Sequence, residues 1–315
     1  MKIAVITPIK HLDDISELLS TKGEIFYLEE GTKSEVRTFL LEHSINTILC
    51  NPNQQTYKID EELLKDTNVS LINTCSTGMN HIDIQYCINH DIKIYSLTND
   101  YELINELPST AELAFGLMLA MLRKIPTANR HVSNYNWDYT KFIGRQIKDL
   151  NVGIIGFGRL GKLMFKYCDA FSANVKIYDP YATLDLDDRF RLNYTCSSLS
   201  KLIEHSDVIS IHVHVSDETK YMINKQLLGY SIKKPYIINT SRGEIVNEDD
   251  IVTALDENLI SGYATDVIEN EFDNIANSPI IQAMINGKNI LITPHVGGMT
   301  WEGQKKAYEW AINKF

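Results

Sequence analysis

The segment 151–161, Asn-Val-Gly-Ile-Ile-Gly-Phe-Gly-Arg-Leu-Gly, constrains the fold of this chain more than any other stretch. Its apolar first half predicts a buried parallel strand, and the pattern Gly156-x-Gly158-x-x-Gly161 follows directly. The next residues predict a helix, and a second apolar run then ends at Asp179. A strand, a glycine turn, a helix, a strand and an acid in this order predict a dinucleotide-binding unit.

Each part of this unit has a physical role. Gly156 permits a tight turn, Gly158 lets a pyrophosphate approach the backbone, and Gly161 lets the helix pack closely on the strand. The helix offers free N–H groups and the positive end of its dipole to phosphate. Asp179 follows the first glycine by 23 residues, near the spacing of about 20 that is typical of a carboxylate on a ribose diol.

Length and charge narrow the possible functions. A chain of 315 residues fits about two domains of ~150 residues each. The net charge of −11 argues against a nucleic acid partner. Segment 1–8 predicts a first strand rather than a signal peptide, and no apolar run is long enough to predict a membrane span. Five scattered cysteines without a Cys-x-x-Cys pair favour reduced thiols in the cytoplasm over disulfides or a zinc site, so no metal is expected.

Residues 1 to about 100 alternate between short apolar runs and helical patterns joined by short loops. Such βα units predict a parallel sheet that is covered by helices on both faces. This first domain is complete before the glycine turn is reached. The predicted strands are Ile3–Ile6, Glu24–Leu28, Thr47–Cys50, Ser70–Cys75 and Ile92–Ser96, and the predicted helices are Leu12–Ser20, Ser34–Glu42, Glu61–Asp66 and Ile82–Asn89.

The second half of the chain predicts another doubly wound sheet around the glycine turn. Residues 99–107 are predicted to be a connection, and Pro108 opens a long helix that is apolar almost all round. This pattern predicts burial on all sides, against another domain, another subunit or simply the core. Residues 131–149 predict an irregular linker. The predicted strands are Val152–Ile155, Val175–Tyr178, Leu192–Thr195, Val208–His212, Tyr236–Asn239, Gly262–Thr265 and Ile290–Thr293, and the last helix is Trp301–Asn313.

Three polar residues follow strands of the second sheet, where ligands of such folds bind. They are Arg242, Asp266 and His295, and these residue types suit the oxidation of a hydroxy acid. An arginine can hold a carboxylate through two parallel hydrogen bonds and polarise a neighbouring carbonyl. A histidine titrates near neutrality and can move the alcohol proton. A carboxylate beside the histidine orients the ring and stabilises imidazolium.

The sequence resembles the D-isomer-specific 2-hydroxyacid dehydrogenase family over nearly its whole length. The spacings match, with 29 residues from Arg242 to Glu271 and 24 from Glu271 to His295. The resemblance implies a flavodoxin-like substrate domain, residues 1–100 plus 299–315, and a Rossmann NAD-binding domain, residues 101–298, with a cleft between them. Besides the glycine turn, the matching segments are Ser76–Asp83, Ser109–Glu112, Asn239–Gly243, Asp266 with Glu271, and Pro294–Gly298.

The resemblance also implies a reaction, which is the reduction of a 2-oxo acid, or the reverse, by hydride transfer between a nicotinamide and C2. Arg242 would bind the substrate carboxylate with the backbone amides of Thr77 and Gly78. His295 would be the acid/base and Glu271 its partner. The implied cofactor contacts are Asp266, on the nicotinamide amide, and Gly156, Gly158, Arg159, Leu160, Gly161, Asp179, His212, Thr240, Ser241, Gly297 and Gly298.

Some positions leave alternatives open. Glu269 competes with Glu271 as the partner of the acid/base histidine, although the family pattern favours Glu271. His212 and His214 also follow a strand and either line the cofactor site or are structural, and the family usually has proline in place of His214. Phe272 stands where proline commonly follows the glutamate, which makes the loop after Glu271 less predictable.

Cofactor and substrate preferences can be predicted in part. Asp179 favours NAD over NADP because a carboxylate repels a 2′-phosphate, and no arginine follows it before Arg189. Substrate choice is expected to lie in the loops after Cys50 and Cys75. The first loop, 51–56, is polar and carries no cation before Lys58, which disfavours a phosphorylated substrate.

Two classes of function fit the sequence. The first is an NAD-dependent dehydrogenase, and the second is a non-catalytic NAD(H)-sensing binding protein of the corepressor type. The presence of Arg242, Glu271 and His295 favours the enzyme, although such corepressors can retain the same residues. The resemblance further implies a homodimer through region 108–132.

Overall fold

The computed structural model describes residues 1–52, 57–182, 190, 193–272 and 274–315. Three sequence predictions concern residues outside these ranges: the polar loop residues 53–56, Arg189, and Leu192 at the start of a predicted strand. The chain divides into two compact units. One comprises Met1–Leu107 and Gly298–Phe315, and the other comprises Pro108–Gly297.

The first unit is built on a five-stranded parallel sheet. Its strand order is β2-β1-β3-β4-β5, which is the flavodoxin-like order. The five strands predicted from the sequence are confirmed, with ends that differ by at most one residue. They are β1 (Lys2–Val5), β2 (Glu24–Tyr27), β3 (Thr47–Cys50), β4 (Leu71–Thr74) and β5 (Lys93–Tyr95), and the helices are α1 (Asp13–Ser20), α2 (Lys33–Glu42), α3 (Glu61–Leu64), α4 (Ile84–Asn89) and α5 (Tyr101–Asn105).

Apolar helix faces cover both sides of this sheet. Helix α1 and the C-terminal helix of the chain, Trp301–Asn313, bury their apolar residues on one face, and α2, α3 and α4 do so on the other. Helix α5 lies where the sequence predicted only a connection. Because Ile104 of α5 packs into the core of the first unit, this unit extends to Leu107 rather than to residue 100.

The second unit is built on a six-stranded parallel sheet with the order β11-β10-β9-β8-β6-β7. The chain reverses its direction of winding between β6 and β8, which places a switch point beside the glycine turn. The strands are β6 (Asn151–Ile155), β7 (Asn174–Tyr178), β8 (Val208–Ile211), β9 (Tyr236–Asn239), β10 (Gly262–Thr265) and β11 (Ile290–Ile292).

Two helical layers bury the faces of this sheet. One layer contains α6 and α8, and the other contains α9 to α12. The helices are α6 (Ser109–Leu122), α7 (Ile125–Ser133), α8 (Arg159–Ala170), α9 (Leu199–His205), α10 (Lys225–Leu228), α11 (Glu248–Asp256) and α12 (Pro279–Ile285), and the C-terminal helix of the first unit is α13 (Trp301–Asn313).

Two sequence predictions for the second unit are wrong. In the described part of the predicted strand 192–195, residues 193–195 form only one bridge, from Thr195 to Ile177, because Tyr194 lies in a helical turn and packs its ring on Phe165 of α8. Helix α6 packs one face into the core and leaves Gly116 exposed in the single chain, so its burial on all sides, for example by another subunit, stays a prediction. Residues 131–149 are not wholly irregular, since α7 runs to Ser133.

Among the residues that the structure describes, no helix combines the length and the apolar character that a membrane span requires.

Candidate active site

The glycine turn between β6 and α8 has three different environments. Gly156 has a φ of +89°, and a Cβ there would lie 2.5 Å from the carbonyl oxygen of His212, so the turn packs directly on the end of β8. A Cβ on Gly161 would lie 2.1 Å from the Gly156 oxygen. A Cβ on Gly158 would meet nothing within 4 Å in the described part of the chain. The turn therefore leaves its open space at Gly158, at the N-terminus of α8.

Asp179, at the end of β7, is tied to this turn. Its Oδ2 accepts a hydrogen bond from the Phe157 amide at 2.7 Å. Its Oδ1 accepts from the amides of Tyr181 and Ala182 at 2.8 and 2.9 Å. A carboxylate has about four acceptor positions, so these three bonds fix its orientation and leave capacity for a ligand.

Two buried polar atoms near the turn lack partners. His212 Nε2 lies 2.8 Å from the Ser210 hydroxyl, but His212 Nδ1 and the Thr240 hydroxyl have no hydrogen-bond partner among the described residues. The two residues follow β8 and β9, which are paired at Ile211 and Asn239. Since buried polar atoms are normally satisfied, these atoms, the open space at Gly158 and the end of α8 fit a bound dinucleotide.

His212 and His214 have different surroundings. Burial lowers the pKa of His212 to about 4, so its ring is neutral at physiological pH. His214 is exposed, and its carbonyl oxygen accepts a hydrogen bond from the Thr219 hydroxyl at 2.6 Å. Of the two histidines, only His212 is packed against the glycine turn. Arg159, the first residue of α8, is partly buried, and burial lowers the pKa of its guanidinium.

Arg242 follows β9 in a loop that is held by its own side chains. Asn239 Nδ2 donates to the Arg242 carbonyl oxygen at 2.8 Å, and Asn239 Oδ1 accepts from the Ser241 amide at 3.0 Å. The Ser241 hydroxyl donates to the Ile211 carbonyl oxygen of β8 at 2.9 Å. The guanidinium group is partly buried and donates to the Ser241 carbonyl oxygen. Its planar fork of donors suits a carboxylate ligand.

Asp266, at the end of β10, organises the loop that carries the candidate acid/base. Its carboxylate accepts hydrogen bonds from the Thr293 hydroxyl and from the amides of Val296 and Gly297, the latter two at 2.9 and 2.7 Å. Burial raises the pKa of Asp266, and these hydrogen bonds oppose that shift. The amide of His295 donates to the Asp266 carbonyl oxygen at 2.9 Å. Asp266 therefore holds both flanks of His295.

The side chains of His295 and Glu271 are in contact. His295 Nδ1 lies 2.7 Å from Glu271 Oε2, and the two side chains are 28 % and 22 % exposed. His295 has a φ of +52°, which is unusual for a residue with a side chain. With Nδ1–H donated to the carboxylate, Nε2 is the nitrogen left for proton transfer. A strained backbone angle at this position is of the kind found where a side chain must be aimed.

Glu269, the competing carboxylate, is engaged elsewhere. The Tyr221 hydroxyl donates to Glu269 Oε1, and the Glu269 amide donates to Glu248 Oε1 at 2.8 Å. A Cβ on Gly243 would lie 2.0 Å from the carbonyl carbon of Ile268, so the loop after Arg242 rests on the backbone that leads to Glu271. Sequence reasoning missed Tyr221 and Glu248, because a single tyrosine and an acid in the first turn of a helix have many ordinary explanations.

Three predicted site residues belong to the first unit. Thr77 and Gly78 follow β4; the Thr98 hydroxyl donates to the Thr77 carbonyl oxygen, and the Ser76 hydroxyl donates to that of Gly78, both at 2.7 Å. Gly298 is the first residue of the C-terminal segment of this unit.

The family of the chain follows from comparison with known proteins. Residues 115–297, which include the glycine turn, Arg242, Glu271 and His295, match the family model of the D-isomer specific 2-hydroxyacid dehydrogenase, NAD binding domain. This chain belongs to the D-isomer-specific 2-hydroxyacid dehydrogenase family. The resemblance seen in the sequence, the two α/β units and NAD as the cofactor are thereby confirmed.

Individual relatives of this chain are named for several different activities. A glyoxylate reductase from Thermofilum pendens is 31% identical over 261 residues, which is 81% of this chain and 74% of that protein. A D-3-phosphoglycerate dehydrogenase from Bacillus subtilis is 28% identical over 248 residues, 78% of this chain and 45% of that protein. The chain thus spans about half the length of that curated relative.

A solved structure extends the comparison to the whole fold. An NAD-dependent formate dehydrogenase from Staphylococcus aureus, in complex with NAD, superposes with a TM-score of 0.82 at 25% identity, covering 100% of this chain and 94% of that one. Because reductases of oxo acids and a formate dehydrogenase share this architecture, the fold leaves the substrate open.

Proposed function

We propose that this protein is an NAD-dependent dehydrogenase that interconverts a D-2-hydroxy acid and its 2-oxo acid. The observation that carries the proposal is the 2.7 Å contact between His295 Nδ1 and Glu271 Oε2. It lies in the same unit as Arg242 and the glycine turn, beyond strands of the same sheet. A cofactor cradle, an oriented histidine and an arginine together are what hydride and proton transfer at C2 of an acid require.

Arg242 binds the carboxylate of the substrate in this proposal. Two parallel N–H···O bonds fix the plane of the acid, and the positive charge polarises the neighbouring C2 carbonyl. The bonds that Asn239 and Ser241 make around the loop hold the guanidinium in place.

His295 moves the proton. In the reductive direction its Nε2–H is donated to the C2 oxygen while C2 accepts the hydride that NADH supplies, so the carbonyl becomes an alcohol. In the oxidative direction Nε2 takes the hydroxyl proton. Glu271 accepts from Nδ1–H, which holds the ring and stabilises imidazolium. A positioned acid/base of this kind contributes roughly 10²–10⁴ in rate. Asp266 receives the nicotinamide amide, and His212 Nδ1 and the Thr240 hydroxyl are further cofactor contacts.

We also propose an unphosphorylated substrate, a homodimer and a cytoplasmic location. The first rests on the absence of a cation from sequence positions 51–57. The second rests on exposed apolar side chains in and after α7, among them Trp137 and Tyr139. The third rests on five free cysteines, four of them buried.

The test of the proposed reaction is the oxidation of NADH with glyoxylate, pyruvate, hydroxypyruvate and phosphohydroxypyruvate, followed by its absorbance, together with NAD reduction by formate. We expect turnover of at least one unphosphorylated 2-oxo acid. His295→Ala should lower kcat by about 10²-fold or more and leave the Kd for NADH, measured by fluorescence titration, within a factor of about two.

Other results would contradict the proposal. No turnover of any acid, together with tight NADH binding, would support a non-catalytic NAD(H)-sensing protein instead. Loss of kcat in His212→Ala but not in His295→Ala would move the acid/base to His212. His205→Ala serves as the control, because that side chain is 66% exposed on the far end of α9 from the β8 strand end.

A further inference from the structure

The segment that carries Glu271 is fixed at both of its ends by one side chain, Glu248. The Glu269 amide donates to Glu248 Oε1 at 2.8 Å, and the Ser278 hydroxyl donates to Glu248 Oε2 at 3.0 Å. Ser278 immediately precedes α12. The two bonds therefore span the chain from two residues before Glu271 to the start of the next helix, and both carboxylate oxygens are used.

Glu248 is buried, unlike most acids in a first helical turn. It is 4 % exposed, whereas the neighbouring Asp249 is exposed. Burial raises the pKa of Glu248, and so do the charges of Glu269 and Asp249, whereas the hydrogen bonds from Glu269 and Ser278 oppose the shift. A carboxylate is costly to bury unless it is hydrogen-bonded. Stabilisation of the helix N-terminus does not explain this burial, because exposed acids provide the same stabilisation without the free-energy cost of burying a carboxylate.

The backbone beside Glu271 forms a turn over residues 269–272, so the position of Glu271 depends on what anchors that turn. Asn270 has a φ of +59°, in the left-handed region that asparagine adopts more often than most residues. Phe272 follows Glu271 and, unlike a proline, leaves its φ free. The Gly243 contact with Ile268 supports only the near end of the segment. Among the residues that the structure describes, Glu248 is the side chain that accepts hydrogen bonds from both sides of Glu271, from Glu269 and from Ser278.

We propose that Glu248 is a positioning residue, whose two hydrogen bonds hold Glu271 against His295. This inference rests on the proposed roles of Glu271 and His295. Glu248 does not touch the reacting atoms, and it acts through the conformation of the 269–272 turn that carries Glu271. Its removal lets Glu271 drift from Nδ1, so the histidine ring loses its fixed orientation while substrate and NADH binding persist.

A double-mutant cycle tests this inference with the most active 2-oxo acid of the panel. Glu271→Ala is expected to lower kcat by about 10²-fold, and Glu248→Ala by about 10-fold with little change in KM. If Glu248 acts through Glu271, the double variant is no slower than Glu271→Ala alone. Glu248→Gln keeps an acceptor for the Glu269 amide and should restore kcat to within about 3-fold of the wild type.

Matched controls separate positioning from folding. Asp249→Ala removes the same charge from the same helical turn and should leave kcat unchanged. Ser278→Ala removes one of the two bonds with little effect on the helix, and should lower kcat by about 3-fold without a large change in Tm. Ser278→Ala also keeps the inference testable if Glu248→Ala does not fold.

The possible failures can be told apart. If Glu271→Ala leaves kcat intact, or no acid is turned over, the proposed function fails. If Glu271→Ala is slow but the losses of Glu248→Ala and Glu271→Ala multiply, or Glu248→Ala keeps full activity, the positioning role fails. A readout without substrate is the downfield Nδ1 proton of a histidine bonded to a carboxylate, observed with [15N]histidine. It should vanish in Glu271→Ala and broaden or shift in Glu248→Ala, but not in Asp249→Ala.

Discussion

At the scale of single residues, the ring of His212 makes the stability of the protein depend on pH. The residue is partly exposed, yet its Nδ1 is sealed from solvent without a partner, and burial lowers its pKa from 6.5 to about 4. Between these two pH values the His212 ring is protonated in the unfolded chain but neutral in the folded chain. The contribution of His212 to the free energy of unfolding is therefore greatest above about pH 6.5, and it is lost as the pH falls toward 4.

We expect the free energy of unfolding to fall by up to about 3 kcal/mol as the pH is lowered from 6.5 to about 4. Urea unfolding of the protein without NAD, at several pH values, measures it. His212→Gln should flatten this part of the pH dependence and weaken NADH binding, whereas His205→Gln, at an exposed position, should leave both unchanged. An unaltered pH slope in His212→Gln would show that the ring is not held neutral by burial.

The residue scale also shows what a sequence leaves undecided. Arg242, Asp266 and His295 could be selected because strand ends are predictable from apolar runs. Glu269 and Glu271 have the same type and lie two residues apart, so the sequence alone does not reveal which one meets His295. In the structure His295 contacts Glu271. Glu269 is instead bonded to Tyr221 through its side chain and to Glu248 through its amide. Partners that are distant in the chain leave no periodic pattern, which is why the role of Glu248 was not predicted.

At the scale of elements, the glycine turn offers a matched pair of substitutions. An added Cβ at Gly161 would meet the backbone oxygen of Gly156, and no change of rotamer relieves that clash. Gly158 has ordinary extended backbone angles and open space. We expect Gly161→Ala to lose about 1–3 kcal/mol of stability. Gly158→Ala should keep its Tm but raise the Kd for NADH by at least about 10-fold, because the methyl group fills the space for the pyrophosphate.

Thermal melts without ligand and fluorescence titration with NADH distinguish the two effects. Gly31→Ala is a suitable control, because a Cβ there meets only ordinary contacts of 3.6 Å or more. If Gly158→Ala bound NADH as tightly as the wild type, the pyrophosphate would not lie on this turn.

The elements were predicted unequally, for physical reasons. Strand β9 and helix α13 were predicted to the residue, because a buried run and an amphipathic repeat carry their own pattern. The prediction of a strand at 192–195 is wrong because the ring of Tyr194 packs on α8. An apolar residue in a sequence does not reveal which neighbouring element its side chain contacts. Helix α5 was missed because its start depends on Asp100, whose side chain caps it and also accepts from Trp310, about two hundred residues away.

At the scale of the whole molecule, one surface exposes a run of large apolar side chains. Tyr135, Trp137, Tyr139 and Ile143 are 100, 92, 85 and 74 % exposed, and they follow one another after α7. Single exposed apolar residues are common, but a run of large ones marks an interaction site. One face of α6, around Gly116, is also left open in a helix that is apolar almost all round.

We expect a homodimer of twice the 35.9 kDa chain mass, held through this surface. Sedimentation velocity across micromolar concentrations should give the dimer for the wild type and a shift toward monomer for Trp137→Ser combined with Tyr139→Ser, because the loss of two large aromatic anchors removes several kcal/mol of association free energy. Tyr101→Ser, in the first unit and 68 % exposed, is the control and should stay dimeric. A wild type that sediments as a monomer throughout, or a double variant as dimeric as the wild type, would place the apolar run outside any subunit interface.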